Sequence, residues 1–228
     1  MPRVARGLAD GMIYHVINRG NARQEVFHKD GDYRAFIGLL KEAKEKYPIQ
    51  LFGYCLMPNH FHLLLSPECA SDLSKFMQWL MTSHVRRYHR HYQTDGHVWQ
   101  GRYKSFVVEN DRQLLTVCRY IEGNPVRAGL VQSADHWQWS SIREREKTSH
   151  HTLIDKLAIP IPAPWLDYVN APLTLGEQER IRLSMNRGAP FGQAEWQIRI
   201  CQQLGLESTI RPIGRPRKYE DKKGQAAF

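Results

Sequence analysis

The chain has 228 residues, 42% hydrophobic and 11% aromatic, enough for one medium domain with an extension around a real core. Thirty-two Lys and Arg against 23 Asp and Glu leave a formal charge of +9, which favours a polyanion such as nucleic acid over an acidic membrane surface. No segment approaches the ~18 consecutive apolar residues of a spanning helix, so a membrane is not among the expected partners.

The opening MPRVARGLADGM has charge but no apolar run behind it, and does not read as a signal peptide. GMIYHVINRG (11–20) reads as a strand that breaks at Arg19, Gly20 and Asn21. Residues 32–47 carry Phe36, Leu39, Leu40 and Ala43 at helical spacing. IQLFGYCLM (49–57) and HFHLLLS (60–66) are two strands joined at Pro58-Asn59, a hairpin. A long helix follows over 71–93, with Ser71 as candidate N-cap and Leu73, Phe76, Met77, Leu80 and Met81 on its buried face. GHVWQGRYKSFVVEN (96–110) alternates as a strand, and 111–123 is a helix opened by Asp111 and closed by Gly123 and Pro125. Strands and helices in this order predict an α+β fold, helices packed on one antiparallel sheet.

Beyond WQWSS the composition shifts. Pro160, Pro162, Pro164 and Pro172 mark an irregular crossing or linker over 148–173. Thr174 and Glu177 form a T-x-x-E capping box opening a helix over 174–188. Trp196, Ile200 and Leu204 define another over 193–208, ended by Gly205, and a basic Pro/Gly-rich tail follows. The expected division is a domain over 1–147 and an extension over 148–228.

His60 and His62 stand one residue apart in an apolar strand, so they share a face and can chelate one cation. The spacing alone leaves ordinary hydrogen-bonded histidines equally open. Leu64 occupies the third position of an H-x-H-x-H pattern, which argues against a histidine-triad hydrolase. Cys55, Cys69, Cys118 and Cys201 are scattered, which argues against a disulfide framework or zinc knuckle and for a reducing cytoplasm. Any third ligand must come from elsewhere. Tyr120 and Asn124 lie four apart near a helix end, and the Asn124 amide oxygen is a candidate. Two imidazoles, an amide oxygen and waters suit Mg²⁺ or Mn²⁺ on a phosphate better than a closed zinc site.

MPNHFHLLL, HVWQGRYKS and RYIEGNPVRAGLV, in that order and spacing, together resemble the REP-associated tyrosine transposases, relatives of the single-tyrosine HUH transposases. YHVINRGN and WQWSS also look like family positions, so the resemblance runs over roughly 11–142, and the C-terminal extension resembles that of one branch. The resemblance implies a ferredoxin-like core with His60 and His62 as the HUH metal pair, Asn124 as third ligand and Tyr120 as nucleophile. It implies action on single-stranded DNA near hairpin-forming palindromes through a covalent 5′-phosphotyrosine. A free phenol is only about one part in a thousand ionised at neutral pH, so the site must assist it. Gly123 stands where the family more often has a bulkier residue, and is expected to loosen that helix end.

Expected DNA contacts are Arg86, Arg87 and Arg90, interleaved with Tyr88 and Tyr92, then Arg102 and Lys104, then Arg127. Arg215, Arg217 and Lys218 in GRPRK resemble an AT-hook, a minor-groove segment. The alternatives are a catalytically silent repeat-DNA-binding protein of the same fold, and an RNA-binding or RNA-cleaving protein. A monomer in the cytoplasm, associated with the nucleoid through DNA, is expected, with a dimer as the alternative.

Overall fold

The computed structural model describes residues 7–147 and 153–211; Arg215, Arg217 and Lys218 lie outside the described residues. Four strands, β1 (Ile13–Arg19), β2 (Ile49–Met57), β3 (His60–Pro67) and β4 (Lys104–Val108), form one antiparallel sheet in the order β2-β3-β1-β4. Helix α1 (Asp30–Lys46) joins β1 to β2, and α2 (Ala70–Tyr92) joins β3 to β4. This is the ferredoxin-like α+β arrangement.

The hairpin forms as its sequence dictates, Met57 pairing with His60 across the turn. Every residue of β3 is buried, because both faces of the sheet are covered. On one face Val16, Leu51, Tyr54, Phe61 and Leu63 meet Phe36 and Leu40 of α1 and Leu73, Phe76 and Leu80 of α2. On the other, Ile13, Cys55, Leu64 and Phe106 lie under α3 (Arg112–Glu122). Leu114, Val117, Cys118 and Ile121 recur on α3 at the spacing of one helical face, which is the face it buries. Asp111 caps that helix, its carboxylate accepting from the Gln113 N–H at 2.7 Å.

Three local expectations are corrected. The first is the start of α2. It begins at Ala70 with Ser71 inside its first turn, because Asp10 reaches over from ahead of β1 and accepts from the Ala70 N–H at 2.6 Å. The strand predicted over 96–110 shrinks to β4: Gly96 has a φ of 86°, and Trp99 makes only an isolated bridge, to Gly20. The Pro-rich stretch is an irregular crossing over 153–164, as expected, but it is a packed strap and not a free linker, with Leu153, Leu157, Trp165, Val169 and Leu173 buried. Asp155 fastens it to edge strand β2, accepting from the Leu51 N–H at 2.7 Å, returning its own N–H to the Leu51 carbonyl at 2.6 Å, and pairing with Lys44 at 2.6 Å. Covering an edge in this way protects its unpaired backbone.

The remaining helices are α4 (Asn124–Arg127), α5 (Ile142–Arg145), α6 (Trp165–Asn170), α7 (Leu175–Arg187), α8 (Ala194–Leu204) and α9 (Glu207–Ile210). The capping box forms on α7, with Thr174 and Glu177 bonding reciprocally, and Gly205 ends α8 at a φ of 66°.

His84 of α2 is buried among the rings of Phe27, Phe36 and Trp99, and its Nδ1 has no partner among the described residues. Burial lowers its pKa to about 4. The unfolded chain protonates this ring near pH 6.5 and the folded chain only near 4, so its contribution to stability is lost as pH falls between those values. Urea unfolding at pH 7 and pH 5 should therefore show His84→Phe losing less stability on acidification than the parent, by up to about 1.4 kcal/mol per pH unit. Equal losses in both proteins would contradict a neutral buried imidazole.

Candidate active site

The strand period sends His60, His62 and Leu64 of β3 to the α3 face, while Phe61 and Leu63 face α1 and α2. In register, His62 lies beside Ile17 and His60 beside Arg19 on β1. His60 is 8% exposed and His62 only 1%. Each ring is held through Nδ1. His60 Nδ1 lies 2.6 Å from Asn59 Oδ1, and the Asn59 amide nitrogen is committed to the Arg23 carbonyl, so the imidazole is the donor. That leaves the Nε2 lone pair of His60 unused.

His62 Nδ1 lies 2.8 Å from Nε2 of His15, a fully buried histidine of β1 whose ring stacks on it at 5.0 Å. On the opposite side, the Asn124 side-chain amide stands 2.7 Å from His62 Nε2. One proton arrangement satisfies all of these: Asn124 donates to His62 Nε2, and His62 Nδ1–H donates to His15 Nε2. The proton left on His15 Nδ1 has no partner among the described residues. Rotation of the Asn124 amide would present its oxygen at the same point.

Burial keeps all three rings neutral at pH 7. It lowers His60 to about 4, helped by the charge of Arg19, lowers His15 to about 3, and holds His62 well below the ordinary histidine range. Neutral imidazoles are the form that ligates metals.

Tyr120 and Asn124 are brought to this point by the end of α3. The Tyr120 ring is 9% exposed and stands nearly perpendicular to His62 and His15, with centroids 5.9 and 6.4 Å away. Arg127 folds back on it, its guanidinium 4.1 Å above the Tyr120 ring and bonded to the Tyr120 carbonyl. Gly123 is the C-cap of α3. A Cβ there would stand 2.9 Å from the Arg119 carbonyl oxygen and 3.2 Å from that of Val169, so the glycine permits a close approach at a φ of −83°.

Glu122, fully buried between Tyr120 and Asn124, anchors the same turn. Its carboxylate accepts from Ser141 Oγ at 2.6 Å, Arg145 Nε at 2.7 Å and Trp165 Nε1 at 2.7 Å. Ser141 Oγ also accepts from the Tyr54 N–H at 3.0 Å, so the network ties α3 to β2.

The predicted DNA contacts divide. Lys104 is exposed on β4 and shares strand parity with Phe106, on the histidine face; Arg102 is exposed just before it. Arg127 is engaged by Tyr120. Arg86, Arg87 and Arg90 are exposed on α2, which packs against the opposite face from the histidines. Tyr88 and Tyr92 are half-buried. Tyr88 bonds His28, just before α1, at 2.9 Å and Tyr92 donates to Asp32 of α1 at 2.6 Å, so both are engaged rather than standing as open stacking surfaces. His15, Arg19 and Glu122 were not singled out from sequence. A histidine at an inward position of YHVINR is a visible signal, but nothing local says that β1 lies beside β3.

The fold superposes on a solved structure of a REP-associated tyrosine transposase bound to a REP hairpin, with a TM-score of 0.55 at 16% identity. The match covers 72% of this chain and 96% of that one, and shows that the two share a fold. The sequence model described as "Transposase IS200 like" matches residues 9–124, just over half of the chain. A Haemophilus influenzae protein described as a REP-associated tyrosine transposase is 27% identical over 122 residues, 49% of this chain and 69% of its own. The REP-associated tyrosine transposase of Escherichia coli K12 is 22% identical over 132 residues, 58% of this chain and 76% of its own. The chain belongs to the IS200-like transposase family.

Removing one partner of a buried hydrogen-bonded ion pair costs about 3–5 kcal/mol. Glu122→Ala should lose that much in urea unfolding, because Arg145, Ser141 and Trp165 are all left without their acceptor. A loss under about 1 kcal/mol would mean the carboxylate does not anchor this turn.

Proposed function

We propose that the chain is a DNA strand transferase that cleaves and rejoins single-stranded DNA beside hairpin-forming palindromes, with Tyr120 as nucleophile. The observation that carries this reading is convergence: two neutral imidazoles, one amide and one phenol meet around His62, inside a family of transposases. Binding to a REP hairpin, reported for the structural relative, comes to this chain as part of the same proposal.

In this reading the Tyr120 oxygen attacks phosphorus and the bond to the 3′ oxygen breaks. The phenol gives up its proton, the departing 3′ oxygen gains one, and a 5′-phosphotyrosine remains. A later 3′-hydroxyl reverses the step and joins strands, because the phosphodiester energy is kept in the covalent link. Arg127 puts a fixed positive charge on the ring where phenolate charge develops. Arg19, beside His60, is suited to meet the phosphate.

Among the described residues no three His, Cys, Asp or Glu side chains form a metal cage. The donors that fit a divalent cation are His60, His62 and Asn124. Each histidine has Nδ1 held by an outer partner, as metal-ligating histidines do, with Nε2 turned to the site. Mg²⁺ or Mn²⁺ bound there would polarise a phosphate oxygen and offset its charge. Tyr120 and Asn124 stand against the histidines of their own chain, which supports action in cis.

The test is a denaturing gel of protein incubated with single-stranded hairpin DNA and Mn²⁺ or Mg²⁺. A metal-dependent protein–DNA adduct is expected from the parent and none from Tyr120→Phe. An adduct that survives Tyr120→Phe contradicts the assignment. Tight hairpin binding without any adduct would instead mark a repeat-binding protein of the same fold.

A further inference from the structure

The family model ends at residue 124, yet α7–α9 do not stand apart from the sheet. Phe191 continues the sheet past edge strand β4, its N–H donating to the Val107 carbonyl at 2.7 Å and its carbonyl accepting from the Glu109 N–H at 2.9 Å. That attachment holds the last turn of α7, Met185 to Gly188, across from β4. A cleft of about 590 Å³ lies between them.

Its lining includes Arg19, Arg102 and Lys104 from the sheet side and Arg187 from α7, with Asn186 and Gln100 between them. Among the described residues no Asp or Glu lines it and none of the four cations is ion-paired. Arg19 stands at its inner end, beside His60, and its buried Nε has no hydrogen-bond partner among the described residues. Arg187 is held at the outer wall by a bond to the Ser208 carbonyl at 2.9 Å. Four uncompensated cations, one with a buried donor unmet, match a chain of phosphates. The volume is that of a small-ligand pocket, which admits a few nucleotides in single file and excludes a duplex.

We propose that this cleft binds the single strand next to the scissile phosphate, with the C-terminal helices as its outer wall. The inference rests on the transferase reading for the position of that phosphate. It gives the extension a function in substrate binding beyond bracing the sheet.

The experiment is fluorescence anisotropy on the full chain with two DNAs, a blunt hairpin and the same hairpin with a single-stranded overhang at its foot. The parent should bind the overhang DNA more tightly. Arg187→Glu and, separately, the exposed Lys104→Glu should each weaken overhang binding about tenfold and lower its salt slope by about 1. Blunt-hairpin affinity should stay unchanged, and circular dichroism melts identify any variant that misfolds. Equal affinity of the parent for both DNAs, or variants that leave the overhang preference intact, would overturn the cleft. Absence of an adduct in the gel assay with the overhang preference and its sensitivity to Arg187 retained would overturn the transferase and leave the cleft standing.

Discussion

The structure turns on one buried carboxylate. Glu122 is held by Ser141 and Arg145 at the two ends of α5 and by Trp165 of α6, and sits between the two α3–α4 residues that reach the histidines. A charge so deep is tolerated only because its partners are deep too: its side chain is 1% exposed and that of Arg145 is 6%. Replacing Glu122 would leave all three donors without this acceptor. The network therefore fixes the end of α3 against β2, and with it the distance from Tyr120 and Asn124 to His62. Gly123 belongs to the same constraint, since the turn closes only where no Cβ intervenes.

A second division follows from the sheet. Its two faces carry different duties, one packed by α1 and α2 around an aromatic core, the other holding His15, His60 and His62 beneath α3. These side chains are thereby kept nearly dry, which keeps the imidazoles neutral and strengthens any charge interaction made there. The basic stretch of α2 lies on the far side of the sheet, away from the histidines. Cations that can act near His60 are instead Arg19 of β1 and those along β4.

Much of this was legible in the chain. The period of two in HFHLLL places both histidines on one face before any fold is known, and the i, i+4 spacing of Tyr120 and Asn124 places those two together. Asp111 and the Thr174–Glu177 box mark helix starts because capping is local. What could not be read depends on pairing across distance. His15 meets His62 over 47 residues, and only the β1–β3 register makes that contact. The Pro-rich strap looked irregular because prolines disrupt regular elements, yet its intervening Leu153, Leu157, Trp165 and Val169 fill the core. Tyr88 and Tyr92 looked like stacking platforms because His28 and Asp32, which take their hydroxyl contacts, are remote in sequence.

The central claim is that the phenol of Tyr120 becomes linked to phosphorus. The most direct measurement is peptide mapping by mass spectrometry after the full chain has reacted with a single-stranded hairpin substrate and Mn²⁺, followed by nuclease trimming of the DNA. The account predicts a nucleotide phosphate mass on the peptide containing Tyr120 and on no other tyrosine. The same mass on a different residue would contradict it.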